Sequence, residues 1–134
     1  MPLKCTYGDL DKLRDLPDRP GPLSKLMAAT KLTTVDKFRI ARLTRTVNEQ
    51  LAEYVKALVE LGKKYGTENK TGRATSWSIK PEHGEAYRAE KGKLDEVECE
   101  LAVSRLPLTA IEEETLTALD LSLLEPFVDA PADL

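Results

Sequence analysis

The chain is poor in the residues on which most catalytic and metal sites depend. It has one histidine, His83, and two cysteines, Cys5 and Cys99, among 134 residues. A metal cluster of several histidines is therefore excluded within one chain, and a histidine-assisted nucleophile would have to use His83. The cysteines form neither a disulfide framework nor a zinc knuckle, so we expect reduced thiols in the core. These shortages predict a protein that is not an enzyme and holds no metal or cofactor.

Aromatic residues and long apolar runs are also scarce. Aromatics make up 5% of the chain, so no aromatic series is available to stack the bases of a single nucleic-acid strand. No apolar run approaches the roughly 18 residues of a membrane span. The N-terminal Met-Pro-Leu-Lys lacks the apolar core of a secretory signal. We therefore expect cytoplasmic synthesis, no membrane contact and one folded domain over residues 1–134.

What the chain does contain is one long amphipathic pattern, from Thr33 to Tyr65. This pattern predicts a helix with a single buried stripe, about 50 Å long at ~1.5 Å per residue. Gly66 is suited to end it. We expect the middle of the stripe, Leu51, Tyr54 and Leu58, to be buried. Apolar residues recur at every third or fourth position: Ile40, Leu43, Val47, Leu51, Tyr54, Leu58, Leu61 and Tyr65.

The flanking segments predict shorter elements. Residues 1–32 contain an alternating strand, a short helix and a proline-rich stretch. Residues 33–95 are predicted to form a long antiparallel helical hairpin whose second helix begins at Pro81. Residues 96–128 are predicted to hold a strand and short C-terminal helices, and residues 129–134 a tail.

Residues 97–103 show a two-residue alternation of apolar and polar positions. Such a period favours a half-buried strand that pairs with the N-terminal segment in a minor β-sheet. Leu94, Val97 and Leu101 also keep helical spacing, so a continuous helix remains an alternative. The predicted fold class is α+β, predominantly α.

Charge is distributed unevenly along the chain. The net charge is −3, yet seven basic residues lie between Thr33 and Tyr65, whereas the residues from Thr109 onward carry seven acids and no base. Complementary potentials of this kind steer binding to a partner or to a second copy. The alternative is that the helix arginines are solvated or pair with the C-terminal acids. The candidate interaction surface has a basic set and an acidic set: Lys37, Arg39, Arg42 and Arg45, and Glu112, Glu113 and Glu114.

The basic set also suits a nucleic-acid backbone. Arg39, Arg42 and Arg45 step by three residues along the predicted helix, with Lys31 upstream, and could contact phosphates along one side. The negative net charge argues against a surface designed as a whole for nucleic acid. A nucleic-acid-binding accessory protein is therefore the alternative function.

A series of short segments between residues 30 and 128 also points to a known group. They are Asn48-Glu49 through Tyr54 to Lys63-Lys64-Tyr65-Gly66, the Gly72 turn before Trp77 and Ile79, the helix ending at Leu94, Glu96-Val97-Glu98, and Leu123-Leu124-Glu125. Together they resemble a family of small uncharacterised proteins of tailed bacteriophages. The resemblance implies a phage or prophage origin and a role in interaction, and it carries no residue-level function.

These considerations lead to one expected function. The chain is expected to be a non-enzymatic binding or assembly protein in the host cytoplasm, with association with the virion also open. Its partner is expected to be a phage structural protein, a host protein or a second copy of the chain.

Overall fold

A computed structural model of the chain describes residues 2–71, 74–112 and 115–129. The predicted class, α+β and predominantly α, is confirmed. The described helices are α1 (Tyr7–Asp11), α2 (Pro22–Met27), α3 (Thr34–Tyr65), α4 (Gly84–Asp95) and α5 (Ala118–Leu124). The described strands are β1 (Leu3–Thr6), β2 (Gly66–Thr71), β3 (Ala74–Ile79), β4 (Glu98–Leu101), β5 (Leu106–Pro107) and β6 (Val128–Asp129). Short 3-10 turns cover Pro81–His83, Leu108–Ile111 and Glu125–Phe127.

The long helix α3 begins and ends where the sequence predicts. The Thr33 hydroxyl accepts a hydrogen bond from the backbone N–H of Asp36 at 3.1 Å, which satisfies a free donor of the first turn. At the other end Gly66 caps the helix, and its N–H donates to the Gly62 carbonyl. The lysines of the last turn suit the negative end of the helix dipole. With 32 residues, α3 is about 48 Å long.

The hydrophobic core lies against the first half of α3. Ile40, Leu43 and Val47 are each 1% exposed or less. The helix thus presents one apolar stripe to elements from both ends of the chain. Around the stripe the core contains Leu3, Cys5, Leu10, Leu13, Leu23, Leu26, Leu101, Leu106, Ala110, Leu124, Phe127 and Val128.

The second half of α3 carries much less buried surface than the stripe predicts. Tyr54 is fully buried as expected, but Leu51 and Leu58 are only half-buried, so the prediction for these two leucines is wrong. Beyond Tyr54 the one buried residue of α3 is Gly62. The physical reason is that α4, the helix in contact with this half, buries no residue of its own. The apolar stripe of α3 therefore continues beyond Tyr54 without a full layer of apolar partners to cover it.

Strands β1 and β4 pair antiparallel, which confirms the predicted minor sheet and the strand over the helical alternative. The register places Leu3 opposite Leu101 and Cys5 opposite Cys99. A backbone hydrogen bond of 3.0 Å from Tyr7 N–H to the Val97 carbonyl extends the pairing by one step. Alternate residues of both strands face the core, as the two-residue period requires.

A β-hairpin of β2 and β3 connects α3 to α4. The Trp77 ring of β3 lies against Gly62 of α3, so closely that a Cβ atom at Gly62 would overlap it. The absence of a side chain at Gly62 therefore allows the hairpin to fold back onto the helix. The second helix begins, after a 3-10 turn that includes Pro81, at Gly84 rather than at Pro81 itself.

One buried polar contact joins α4 to α3 where the core ends. The Tyr54 hydroxyl donates to Asp95 Oδ1 at 2.5 Å, and Lys91 Nζ lies 3.0 Å from Asp95 Oδ2. The Tyr7 ring of α1 packs on the Tyr54 ring at a centroid distance of 5.5 Å. Burial, followed by the bond to Asp95, raises the pKa of Tyr54 to about 12. Tyr54 thus connects three helices through one side chain.

The C-terminal elements match the predicted short helices in part. Thr117 and Asp120 form a reciprocal capping box at the start of α5, and Lys25 Nζ pairs with Asp120 at 2.6 Å. Thr109 and Glu112 have the same spacing, but they lie in and after a 3-10 turn rather than at a helix start. The parallel pairing of β5 with β6 has no signal in the sequence. Of the predicted tail, only Asp129 lies within the described residues.

Replacing Tyr54 with Phe should lower the free energy of unfolding by about 1.5–3 kcal/mol, since it removes a hydrogen bond to a charged group. The stability that the Tyr54 proton contributes is fully present below pH 10 and is lost as the pH rises to about 12, because the unfolded chain ionises first. The difference in melting temperature between wild type and variant should therefore narrow over this range. A constant difference would contradict the buried, hydrogen-bonded hydroxyl.

Replacing Gly62 with Ala gives a second test, because two effects of opposite sign compete. Helix propensity alone would stabilise the protein by about 1 kcal/mol. We expect destabilisation instead, since the new Cβ must displace Trp77. Trp77 is the only tryptophan, so its fluorescence emission reports on this contact directly and should shift to longer wavelength. A more stable variant with unchanged emission would show that the ring does not lie on Gly62.

Candidate interaction surface

The basic set predicted from the sequence lies on the first three turns of α3, and all four of its side chains are exposed. Arg39 is held by its own helix: its Nη1 donates to Asp36 Oδ1 at 3.0 Å, and the Asp36 side chain is 6% exposed. Within the described ranges, Lys37, Arg42 and Arg45 make no ion pair. The alternative prediction, that these arginines pair with C-terminal acids, therefore finds no contact among the described residues.

A groove gathers part of the basic set together with residues far away in sequence. It lies between α3 and the segment that follows β4, and its volume is about 520 Å³. Arg105 is held there by a hydrogen bond from its Nε to the Pro126 carbonyl, at 3.3 Å. Lys37 and Arg45 do not line the groove. Its lining consists of Pro2, Arg39, Arg42, Ala102, Val103, Ser104 and Arg105.

Arg105 is the residue that the sequence analysis missed. It lies more than 60 positions from Arg42, in a stretch with no basic neighbour. The pairing of β1 with β4 places Pro2 beside α3, and Arg105 lies there because it follows β4, bonds to the Pro126 carbonyl and directly precedes β5. No local pattern could have identified it.

The solvent side of the first turns of α3 carries a row of large side chains. Val35, Phe38, Arg42 and Arg45 are spaced by three and four residues and so share one face of the helix. Val35 is 58% exposed and Phe38 63% exposed, the highest values for large apolar residues in the described part of the chain. We call these four residues the outer row. It combines an aromatic ring, a branched aliphatic side chain and two guanidinium groups.

The acidic set is described only in part. Glu112 is exposed and follows the 3-10 turn Leu108–Ile111. Glu113 and Glu114 lie outside the described residues. The structure therefore describes all four residues of the basic set and only Glu112 of the acidic set, and the interaction surface itself stays a prediction.

His83 lies away from both the groove and the outer row. Its ring is 5.8 Å from the Tyr65 ring, and its Nε2 is 3.7 Å from Glu82 at the protein surface. Among the residues that the structure describes, no three of the His, Cys, Asp and Glu side chains are placed to hold a metal ion.

The two cysteines face each other across the β1–β4 pair as free thiols, with 3.4 Å between their Sγ atoms. Their proximity follows from the register of β1 and β4. Burial, followed by the hydrogen bond to Cys99, raises the pKa of Cys5 to about 12, and burial also raises the pKa of Cys99. At neutral pH both groups are therefore protonated and poor nucleophiles.

Comparison with known protein families, with curated proteins and with solved structures finds no match for this chain. In the described ranges, no helix is both long enough and apolar enough to cross a membrane.

Thiol labelling tests the buried cysteine pair. Iodoacetamide should modify Cys5 and Cys99 slowly in the native protein at neutral pH and rapidly in denaturant, because alkylation needs an accessible thiolate. Mass spectrometry of the intact protein counts the adducts over time. Complete modification of the native protein within minutes would contradict the raised pKa and the burial.

Proposed function

We propose that this chain is a non-enzymatic protein that binds another protein through the outer row of α3. The observation that carries the proposal is the exposure of Val35 and Phe38 beside Arg42 and Arg45. Aromatic and arginine side chains are enriched at the centres of protein interfaces, where they supply most of the binding energy. None of the four is used by the core of this chain.

The half of the molecule beyond Tyr54, formed by the end of α3, by α4 and by the β2–β3 hairpin, supports the same proposal because it has the form of a spacer. Tyr65 at the end of α3 contacts Tyr87, with ring centroids 6.5 Å apart, while Tyr54 contacts Asp95 at the other end of α4. These two contacts favour an antiparallel helical hairpin of α3 and α4. Such a hairpin carries little core and separates the outer row from the β2–β3 hairpin at its far end.

The origin and location belong to the same proposal. The sequence resemblance supports a protein of a tailed bacteriophage that acts in the host cytoplasm or on the virion. Its partner is then a phage structural protein, a host protein or a second copy of the chain.

A nucleic-acid-binding role is the second candidate, and the observation in its favour is the groove. Arg39, Arg42 and Arg105 together could contact backbone phosphates. This role ranks second because Phe38 is the one aromatic in the outer row and the net charge of the chain is −3. The two roles respond differently to salt, since phosphate binding weakens steeply as salt rises.

The test is affinity purification from phage-infected cells followed by quantitative mass spectrometry. The variant Phe38→Asp/Arg45→Glu should lose a partner that the wild type retains in stoichiometric amount, because it removes the apolar anchor and reverses one charge. Exposed residues contribute little to folding, so its circular dichroism and melting temperature should stay close to wild type.

The matched control is Lys56→Glu/Lys63→Glu, which reverses two exposed lysines on the distal half of the same helix. It should retain the partner. Equal loss of the partner in both variants would point to general electrostatic attraction and would contradict the proposal that the outer row is the binding surface. Binding of double-stranded DNA by the wild type, with a steep salt dependence and weakening in Arg42→Gln, would favour the second candidate.

A further inference from the structure

The groove between α3 and the segment after β4 holds positive charge that is only partly balanced. Arg39, Arg42 and Arg105 line it, and its lining includes no acidic residue. The Asp36 carboxylate, bonded to Arg39, offsets one of these three charges, so two remain. Guanidinium groups stay protonated in proteins, so this charge cannot be relieved by titration. A bound anion relieves it.

Two of the three arginines each make one hydrogen bond within the fold. Arg39 donates to Asp36, which is buried, and Arg105 donates through Nε to the Pro126 carbonyl. Each guanidinium has five N–H donors, and these contacts use one from each. The remaining donors are held near the groove by the fold, which reduces the entropy lost when a ligand binds.

The rest of the lining limits the ligand in size and kind. Pro2, Ala102 and Val103 are small and apolar, and Ser104 adds a hydroxyl. A volume of about 520 Å³ lies within the range of roughly 300–1,000 Å³ that binding sites occupy. This space suits a few residues of an extended peptide.

A nucleic acid fits the groove less well than a peptide does. No aromatic side chain lines the groove, so bases have no ring to stack on. Three arginines are also fewer than the roughly six to ten phosphate contacts of a typical DNA-binding surface. Carboxylates, in contrast, accept paired hydrogen bonds from a single guanidinium.

We propose that this groove binds a short acidic segment of the partner protein. Two Asp or Glu carboxylates of that segment accept hydrogen bonds from Arg42 and Arg105, and Arg39 helps to orient them. The proposal rests on the protein-binding function above and names the chemistry of the partner at a second contact beside the outer row.

Isothermal titration calorimetry at low salt tests this proposal with a synthetic peptide. The probe carries consecutive Glu and Asp residues flanked by Gly and Ser, and its neutral counterpart carries Gln and Asn. The acidic peptide should bind and the neutral one should not. Arg42→Gln and Arg105→Gln should each weaken binding about tenfold or more, as expected for loss of a charge-assisted hydrogen bond.

Lys37→Gln is the matched control, since Lys37 is an exposed cation of the same helix that neither lines the groove nor belongs to the outer row. It should leave the affinity nearly unchanged. Equal weakening by Lys37→Gln would show long-range attraction rather than a groove and would overturn the proposal. Failure of the acidic peptide to bind would also overturn it. So would a single-stranded oligonucleotide of equal charge that binds more tightly and displaces the peptide.

These experiments distinguish failure of the groove proposal from failure of the proposed protein-binding function. If the peptide does not bind while Phe38→Asp/Arg45→Glu still loses its partner, the groove proposal falls and the protein-binding function stands. If the peptide binds through the groove while that double variant keeps its partner, the outer row is wrong and the groove stands. Should Arg105→Gln unfold, Arg42→Gln still decides the result, because Arg42 has no side-chain bond in the described structure.

Discussion

The hydrogen bond from Tyr54 to Asp95 marks the point at which the core of this protein ends. Before Tyr54, α3 lies in a layer of buried leucines, and after it only Gly62 is buried. Asp95 also ends α4, and Val97 two residues later bonds to Tyr7 at the start of the β1–β4 pairing. The Tyr54 hydroxyl therefore joins the end of α4 to the edge of the core, three residues before β4 begins.

The same constraint extends to the groove. Strand β4 ends at Leu101, and the next four residues line the groove beside α3. Their position depends on the β1–β4 register, which pairs Leu3 with Leu101, and β4 begins three residues after Asp95. A site formed by residues so far apart in sequence is only as well defined as the elements between them. The Tyr54–Asp95 contact thus lies just before β4 in the chain, and the segment that lines the groove lies directly after it.

Local patterns predicted the local elements of this fold. The bounds of α3 could be read from a capping threonine and a terminal glycine, and β4 from its two-residue period, because each signal depends on neighbouring residues. Burial of Leu58 could not be read in this way. A stripe of apolar residues shows which face of a helix is apolar, but only the partner elements decide how far along that face the core extends.

The basic residues also separate into those that the local sequence reveals and one that only the fold brings together with them. Four of these residues are recognisable as charges on one predicted helix, whereas only tertiary contacts bring Arg105 beside them. Asp36 was a missed local signal: an acid three residues before Arg39 on a helix is spaced to pair with it. That pair gives Arg39 a role in the fold, since a buried carboxylate needs a partner.

The remaining members of the outer row have no such structural explanation. Arg42 and Arg45 make no ion pair in the described ranges, and exposed charges add little to stability. Phe38 leaves most of its ring in water, where it gains nothing from the hydrophobic effect. A single exposed apolar residue is unremarkable on any surface, but a phenyl ring, a valine and two unpaired arginines on one helix face form a contiguous surface that folding does not require. The function that we propose, binding to another protein, gives a role to these side chains, which the fold leaves unused.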